Sequence, residues 1–389
     1  MVMGSKGKKF RLGVIILGFT FIWGIPSYAN QKEPYKVGAL FALTGQASFI
    51  GDPQGKTVKM IAQWVNAAGG IDRHPLEVIV YDTAGDREKT ALVVRKLVEN
   101  DGVVAVIGTS HYGISSSVLP VIGDHKVPFI SCTASPELPR WTKVRSWFFQ
   151  VKGFEQGVEA VYEHIWKKEI AKIAILTPTS EFGNRGRTTL IKLAPQYGLE
   201  IVVDGRYRPD SGNVKVHLSK VKEMGAQAIV NWSEAISQVE VCQTWKDLGI
   251  KLPLYHGPEF GNKRMIQLAK GDAEGVLCPL HPLNLLEKLP IEDSQMPALI
   301  AYRYCFEKKF GIEASSSGGH AWDALWMVVE ALRMVGPDRK KMRGYFEKCI
   351  RNWPGVTGVF NMSRKDHCGL TKEVFKMGVV SKGGWTLAD

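Results

Sequence analysis

The sequence predicts an α/β protein with two lobes of similar design, each a mostly parallel sheet covered by helices. Short apolar runs alternate with segments of helical periodicity, which is the pattern of β-α-β units. This alternation restarts near Lys152. The length of 389 residues also exceeds the roughly 250–300 residues at which a single core stops growing. We therefore expect two lobes.

The N-terminal segment has the pattern of an export signal. Basic residues at positions 6–11 precede an apolar run of 14 residues at 12–25. That run is shorter than the roughly 20 apolar residues that span a membrane. We expect a signal peptide over 1–29, cut between Ala29 and Asn30, and a mature protein that is free in the periplasm.

The first lobe is expected to contain strands joined by helices. Short apolar runs predict strands at 35–41, 76–81, 103–107 and 129–131. Helical spacing predicts a helix around 58–68, and Asp86 has the position of an N-cap for a helix that ends near residue 100. A third helix is expected from about residue 115.

The same pattern predicts the second lobe. Strands are expected at 172–176, 200–206, 228–231 and 254–256. Helices are expected at 155–166, 187–194, 214–224 and 237–248. Two long helices follow, marked by apolar residues over 299–310 and 321–332. Hairpins are predicted after Val356, with a tight turn at 382–384.

The charge argues against a nucleic-acid partner. The formal net charge is +12, from 50 basic and 38 acidic side chains, and part of the excess lies in the signal segment. A nucleic-acid-binding protein concentrates its basic residues on one helix or stripe. Here lysines and glutamates alternate, as in 163–169. The excess charge therefore indicates a solvated surface.

The six cysteines indicate neither a zinc site nor a redox site, because they are far apart and form no Cys-x-x-Cys motif. The first is Cys132, whereas a lipid-anchored protein needs a cysteine at the cleavage site. Export permits disulfides. Cys349 with Cys368 is one possible pair, but spacing does not decide the connectivity.

The sequence offers no residues to which a reaction can be assigned. Nucleotide-binding, metalloprotease and serine-hydrolase motifs are absent. The nine histidines are dispersed, without a pair at metal-ligand spacing. We therefore expect no catalytic residues, no metal and no cofactor.

Loops after the predicted strands of the first lobe carry hydroxyl groups ahead of helices. Residues 108–113 (GTSHYG) follow one strand, and 131–136 (SCTASP) follow another. Free N–H groups at a helix start, with hydroxyls beside them, suit an anion such as a carboxylate. The alternative is that these residues only cap helices.

Loops of the second lobe carry aromatic and acidic residues instead. They are 179–183 (TSEFG), 232–234 (WSE) and 257–261 (GPEFG). An aromatic ring at a cleft can stack on a ligand, and a carboxylate can hold an ammonium group. The alternative places Phe182 and Trp232 in the core and Glu259 in a solvated turn.

Short segments spread over nearly the whole mature chain resemble the periplasmic substrate-binding proteins of branched-chain amino acid ABC transporters. Each segment is short, and the combination of their order and spacing is specific. They are 35–45 (YKVGALFALTG), 51–52 (GD), 65–71 (VNAAGGI), 81–83 (YDT), 105–108 (AVIG), 127–131 (VPFIS), 136–138 (PEL), 181–183 (EFG), 257–259 (GPE) and 322–324 (WDA).

The resemblance implies a type I periplasmic binding fold: two doubly wound α/β lobes joined by three hinge crossings, with a ligand cleft between the lobes. The crossings are expected near Val151, Leu280 and Val356. Lobe one is then expected to comprise 35–151 with 281–356, and lobe two 152–280 with 357–389.

The resemblance also implies ligand contacts on loops of both lobes. Lobe one is expected to contribute Phe49, Ser110, His111, Tyr112, Thr133, Ala134 and Ser135, and lobe two Phe182, Trp232, Glu234 and Glu259. Hydroxyl and backbone N–H groups of lobe one would hold a carboxylate, and Glu259 would bind an ammonium group. This chain departs from the family where Tyr112 replaces the usual serine and where the loop around Thr133 is one residue shorter.

The expected ligand is a small carboxylate-bearing molecule. An amino acid is the first candidate, and an aromatic carboxylate is the second. Tyr112, Phe182 and Trp232 would form an aromatic-walled cleft, which suits a larger apolar side chain. The family's mechanism implies hinge closure by a monomer and delivery to an inner-membrane ABC permease. A sensor subunit for a separate signalling protein and an enzyme are the alternatives.

Overall fold

The computed structural model describes residues 32–134, 142–208, 214–234 and 236–388. The predicted signal peptide, 1–29, lies outside these residues, and so does Ser135. The side chain of Tyr112 also lies outside the described part.

The first sheet has five parallel strands, all from the N-terminal part of the chain. They are β1 (Tyr35–Phe41), β2 (Leu76–Asp82), β3 (Ala105–Gly108), β4 (Phe129–Ser131) and β5 (Phe148–Gln150), in the spatial order β2-β1-β3-β4-β5. The helices between them are α1 (Ser48–Ala67), α2 (Arg87–Glu99), α3 (Leu119–His125) and α4 (Thr142–Arg145).

The four strands predicted for this region are present, and β3 begins two residues later than predicted. β3 and β4 are buried and β1 is buried along most of its length, while β2, at the edge of the sheet, is mostly half-buried. Asp86 caps α2 as predicted, with its carboxylate accepting a hydrogen bond from Lys89 N at 2.6 Å. β5 was not predicted, since an apolar run of three residues is too short to show a period.

The second sheet is built from later segments and has seven strands. Its parallel strands are β6 (Lys172–Pro178), β7 (Glu200–Tyr207), β8 (Ala228–Asn231), β9 (Leu254–His256) and β10 (Leu277–Leu280). The associated helices are α5 (Glu155–Lys167), α6 (Glu181–Leu193), α7 (Val214–Lys220), α8 (Ile236–Asp247) and α9 (Lys263–Ala269). β10 was not predicted, and its Pro279 argues against a strand at the level of sequence.

The C-terminal third of the chain contributes elements that pack on the first sheet and strands that complete the second. It contains α10 (Met296–Phe310), α11 (Ser316–Val335), α12 (Arg339–Cys349), the two-stranded pair β11 (Trp353–Pro354) and β12 (Val359–Phe360), and the hairpin of β13 (Lys376–Ser381) and β14 (Gly384–Leu387). That hairpin completes the second sheet in the order β14-β13-β10-β9-β8-β6-β7, and it turns at 382–383 as predicted. The two long helices are confirmed as α10 and α11.

Helices α10 and α11 share one apolar core with the first sheet. Leu299 and Leu325 are fully buried in the same cluster as Val37 of β1. α12 was not predicted, because its sequence is strongly charged and only Met342 and Phe346 mark its buried face.

The segment that follows β12 also packs against the first sheet. Phe360 and Met362 belong to the core of that sheet, and Gln150 N donates a hydrogen bond to His367 O at 3.1 Å. Asp323 of α11 anchors the start of this segment, since its carboxylate accepts hydrogen bonds from the backbone of Val356 and Thr357 at 2.7 and 2.8 Å. The chain enters the second sheet only afterwards, at β13.

The six cysteines are unpaired, so Cys349 and Cys368 form no disulfide. Cys368 is buried while Cys349 is exposed. Within the described ranges, no helix is both long enough and apolar enough to cross a bilayer.

Candidate ligand-binding cleft

A cleft of about 1110 Å³, a volume that includes its open mouth, lies where loops of both sheets meet. The loops after β1, β3, β4 and β5 line one side, and those after β6, β8, β9 and β10 line the other. In open α/β sheets, ligands bind outside the carboxyl ends of the parallel strands. The topology therefore directs eight loops into one cavity.

The structure brings most of the predicted residues together in this cleft. Those that line it are Phe49, Ser110, His111, Thr133, Ala134, Phe182, Glu234 and Glu259. Tyr112 and Ser135 stay predictions, because the side chain of the first and the whole of the second lie outside the described residues.

Ser110 holds the loop after β3 in place. Its hydroxyl donates to Gln54 Oε1 at 2.5 Å and accepts from Ala42 N at 3.0 Å. The hydroxyl proton is thus directed at Gln54, and the Nε2 group of Gln54 has no hydrogen-bond partner among the described residues although it is buried. The unused polar donor here therefore belongs to Gln54 and not to Ser110.

His111 connects the two sides of the cleft. Its side chain accepts a hydrogen bond from Gly113 N at 3.3 Å, and its Nε2 lies 3.6 Å from Glu234 Oε1 on the opposite side. Burial lowers the pKa of His111, although the nearby Glu181 acts in the opposite direction. Burial therefore favours the neutral ring beside Glu234.

Glu259 forms an ion pair inside the cleft. Its Oε1 accepts from Lys152 Nζ at 2.9 Å, and about 20% of each side chain is exposed. The second oxygen, Oε2, is buried and has no hydrogen-bond partner in the described part of the chain. Glu259 is thus charge-paired through one oxygen and has an unused acceptor on the other.

Glu234 is the second acid of the cleft. Burial and the charge of Glu259 raise its pKa to about 7, although Ser180 Oγ donates to it at 3.3 Å. The two acids differ because Glu259 has Lys152 as a direct partner, whereas Glu234 faces the neutral His111. Only part of the Glu234 population is ionised near neutral pH.

The structure corrects the prediction that Trp232 lines the cleft. Trp232 is only 1% exposed and is absent from the cleft surface. Its indole occupies the space beside three glycines, at positions 157, 186 and 257. This is the core placement that the sequence left open. The aromatic residues that do line the cleft are Phe49 and Phe182, and Phe182 packs edge-on against Phe154 at 5.4 Å.

Several lining residues were missed by the sequence reasoning. They include Gln54, Lys152, Pro258, Asn262, His281 and His320. Lys152 and His281 follow β5 and β10, the two strands that were not predicted. Gln54 and His320 lie within long helices, where a polar residue on a buried face is the only signal that the sequence offers.

The chemistry of the lining residues favours binding. Burial raises the pKa of the Cys132 thiol well above its usual range, so it is a poor nucleophile. Burial lowers the pKa of His281 to about 3 and that of His320 well below its usual value. The described part of the chain contains no group of three His, Cys, Asp or Glu placed to hold a metal ion.

Comparison with known proteins identifies relatives along almost the full chain. A family described as periplasmic binding protein matches residues 34–383. The leucine-, isoleucine-, valine-, threonine- and alanine-binding protein of Pseudomonas aeruginosa is 26% identical over 67% of this chain and 69% of its own. The Leu/Ile/Val-binding protein of Escherichia coli K12 is 25% identical over 59% of this chain and 70% of its own.

Solved structures share the fold. An extracellular ligand-binding receptor from Rhodopseudomonas palustris HaA2 superposes with a TM-score of 0.82, at 20% identity, over 92% of this chain and all of that one. The branched-chain amino acid transporter substrate-binding protein of Streptococcus pneumoniae, solved with isoleucine, superposes with a TM-score of 0.76, at 20% identity, over 92% of this chain and 99% of its own. The type I periplasmic binding fold that was predicted is thus confirmed. This chain belongs to the periplasmic binding protein family.

Proposed function

We propose that this protein is the periplasmic solute-binding component of an ABC importer and that its ligand is an amino acid with a large apolar side chain. The observation that carries the proposal is Glu259, whose buried Oε2 lacks a hydrogen-bond partner among the described residues. A buried acceptor without a partner is costly unless a ligand supplies the donor. The ammonium group of an amino acid is such a donor.

The opposite side of the cleft supplies the complementary group. Gln54 Nε2, which is buried and unpartnered within the described residues, points to the carboxylate end of the ligand, beside Ser110 and Thr133. Phe49 and Phe182 provide the apolar surface. The relatives from Pseudomonas aeruginosa and Escherichia coli, whose names give aliphatic amino acids as ligands, support this ligand class.

In this proposal the ligand closes two lobes on each other, one built around each sheet. The first two crossings lie near Val151 and Leu280. The contacts of Phe360, Met362 and His367 with the first sheet favour a third crossing after Leu370 instead of near Val356. The cleft is lined from both sides, so a ligand that touches both favours the closed form.

A substitution at Glu259 tests the amino-acid assignment. In Glu259→Gln, which keeps the shape but removes the charge, affinity for an apolar amino acid should fall about tenfold or more, because a charged hydrogen bond is lost. Affinity for the matching acid without an amine should change little. Isothermal titration calorimetry of the mature protein measures both, and equal losses for the two ligands would contradict the ammonium role.

An aromatic carboxylate without an amine is the second candidate, and the Lys152–Glu259 pair is the observation that favours it. The 2.9 Å contact already compensates the charge of Glu259, so the cleft does not require a ligand cation. If amine-free aromatic acids bind and phenylalanine does not, this candidate replaces the first.

A gene deletion distinguishes the importer role from a sensor role. Deletion of the gene should abolish accumulation of the radiolabelled ligand if the protein serves an inner-membrane permease. Normal accumulation with a lost transcriptional or motility response would instead indicate a sensor subunit.

The predicted cut between Ala29 and Asn30 is tested by N-terminal sequencing of the protein recovered from the periplasm.

A further inference from the structure

The cleft also has hydrogen-bonding groups beyond those assigned to the amino and carboxylate groups of an amino acid. They belong to Lys152 after β5, His281 after β10 and His320 near the start of α11. His281 and His320 are 4% and 3% exposed, and their rings meet edge-on at 5.1 Å.

Ring nitrogens of the histidine pair lack hydrogen-bond partners among the described residues. His320 Nε2 has no hydrogen-bond partner in the described part of the chain. Burial, reinforced by the positive charge of Lys152, keeps the pKa of both rings far below neutral pH. Each ring is therefore neutral, with one N–H donor and one acceptor nitrogen. A backbone hydrogen bond to Ser316 uses the N–H of His320, so its unpartnered Nε2 is the acceptor. A buried polar atom that faces a cavity without a partner indicates a polar group on the molecule that fills the cavity.

Lys152 adds the only full positive charge among the described lining residues. Of its three N–H donors, one goes to Glu259. The remaining Lys152 donors and the acceptor of His320 belong to a cleft whose other lining includes Phe49 and Phe182. A hydroxyl group matches this set, because it can accept from Lys152 and donate to His320 Nε2, whereas a methyl group does neither.

We propose that Lys152, His281 and His320 form a second polar subsite, which takes a hydroxyl group on the apolar part of the ligand. This inference rests on the proposed function and narrows it: the large apolar part of the ligand carries one hydroxyl group. A plain aliphatic side chain would leave His320 Nε2 buried without a partner.

Matched ligand pairs test the subsite by calorimetry on the mature protein. The pairs are phenylalanine with tyrosine, phenylpropionate with hydroxyphenylpropionate, norleucine with its ω-hydroxy derivative, and norleucine with α-aminoadipate. We expect the member with the hydroxyl group to bind about tenfold more tightly or more in at least one pair, since its partner leaves a buried group unsatisfied. α-Aminoadipate should gain no such preference, because a carboxylate cannot donate to His320 Nε2.

Substitutions of His320 assign the preference to this subsite. In His320→Leu the affinity ratio within the preferred pair should fall towards one, and His320→Gln, which retains an acceptor, should preserve part of it. Phe49→Leu is the control, because it should weaken both members equally and leave the ratio unchanged. Melting temperatures without ligand show whether each variant folds, and the ratio does not depend on a uniform loss of stability.

Two results would overturn the inference, and they differ in what else they overturn. If both members of every pair bind equally, or if His320→Leu preserves the ratio, the second subsite is wrong while the proposed function stands. If no member of any pair binds, the proposed function fails together with the subsite.

Discussion

Single residues decide the charge of the cleft. Lys152 pairs with Glu259, which leaves Glu234 as the acid without a cationic partner in direct contact. The groups that face Glu234 are Ser180, His111, Glu259, Lys152 and Glu181, and burial dominates their combined effect on its pKa. Glu234 therefore changes its charge near neutral pH.

Glu234→Gln should stabilise the protein in a pH-dependent way. Because the folded-state pKa of Glu234 is raised to about 7, its ionisation opposes folding. This cost is absent below the unfolded pKa, grows between that value and about 7, and levels off above it. The variant should therefore match the wild type near pH 4 and exceed it at pH 8 by about 1–3 kcal/mol. Urea unfolding of the ligand-free protein at both pH values measures this difference. A constant difference between the two pH values would contradict the assignment.

The sequence predicts some of the cleft residues correctly and gives no indication of others, for a physical reason. Glu259 and Phe182 were predicted because each follows a recognisable strand, and parallel strands direct their carboxyl ends to one edge. Trp232 also follows a strand, but only the packing of three glycines beside it shows that its ring is in the core. Lys152 and His320 reach the cleft through contacts that no local pattern encodes.

At the scale of elements, regular alternation made most strands and helices predictable. The missed elements are those whose local signal conflicts with their environment: β5 is too short, β10 contains a proline, and α12 has few apolar residues. Tertiary packing stabilises each of them. The long helices α10 and α11 were predictable because their apolar stripes extend over several turns.

Helix α6 depends on a glycine at its contact with Trp232. A Cβ atom at Gly186 would lie 2.4 Å from Trp232 Cδ1 and 3.0 Å from Cγ, and the indole is enclosed by its neighbours. Gly186→Ala should therefore destabilise the protein by about 1–3 kcal/mol through overpacking, despite the better helix propensity of alanine.

Gly344 of α12 is the matched control, since a Cβ there meets nothing within 4 Å. Gly344→Ala should stabilise the protein by about 0.5–1 kcal/mol, because alanine loses less backbone entropy in a helix. Urea unfolding compares the two variants. A stabilising Gly186→Ala would show that the indole is free to move, and that the account of the Trp232 environment is wrong.

At the scale of the whole molecule, polar contacts join the two sides of the cleft mouth. Arg87, which begins α2, donates to Gly113 O at 2.6 Å and pairs with Glu181 of α6 at 3.2 Å. The guanidinium of Arg264 lies over the Phe49 ring at 5.8 Å. The Arg87–Glu181 and Arg264–Phe49 contacts connect elements of the first sheet to elements of the second, whereas Gly113 lies on the first-sheet side. The two crossing contacts are expected to form only when the cleft is closed.

Loss of the Arg87 contact should speed ligand release. The pair is about half exposed, so its contribution is small, and Arg87→Gln should raise the dissociation rate about two- to fivefold. Arg95→Gln is the control, because Arg95 pairs with Glu99 within the same helix at similar exposure. Stopped-flow fluorescence measures both rates. Equal rates for the two variants would mean that the Arg87–Glu181 contact does not stabilise the closed form.

The central claim is that the cleft binds a carboxylate-bearing small molecule without changing it chemically, and that this molecule is preferentially an amino acid. Isothermal titration calorimetry of the mature protein against apolar amino acids and their amine-free counterparts, with recovery of the ligand afterwards, tests it most directly. The account predicts one molecule bound per chain, a preference for the amino acid and a ligand recovered intact. Binding of amine-free acids alone would contradict the role of Glu259, and a chemically altered ligand would contradict the binding function itself.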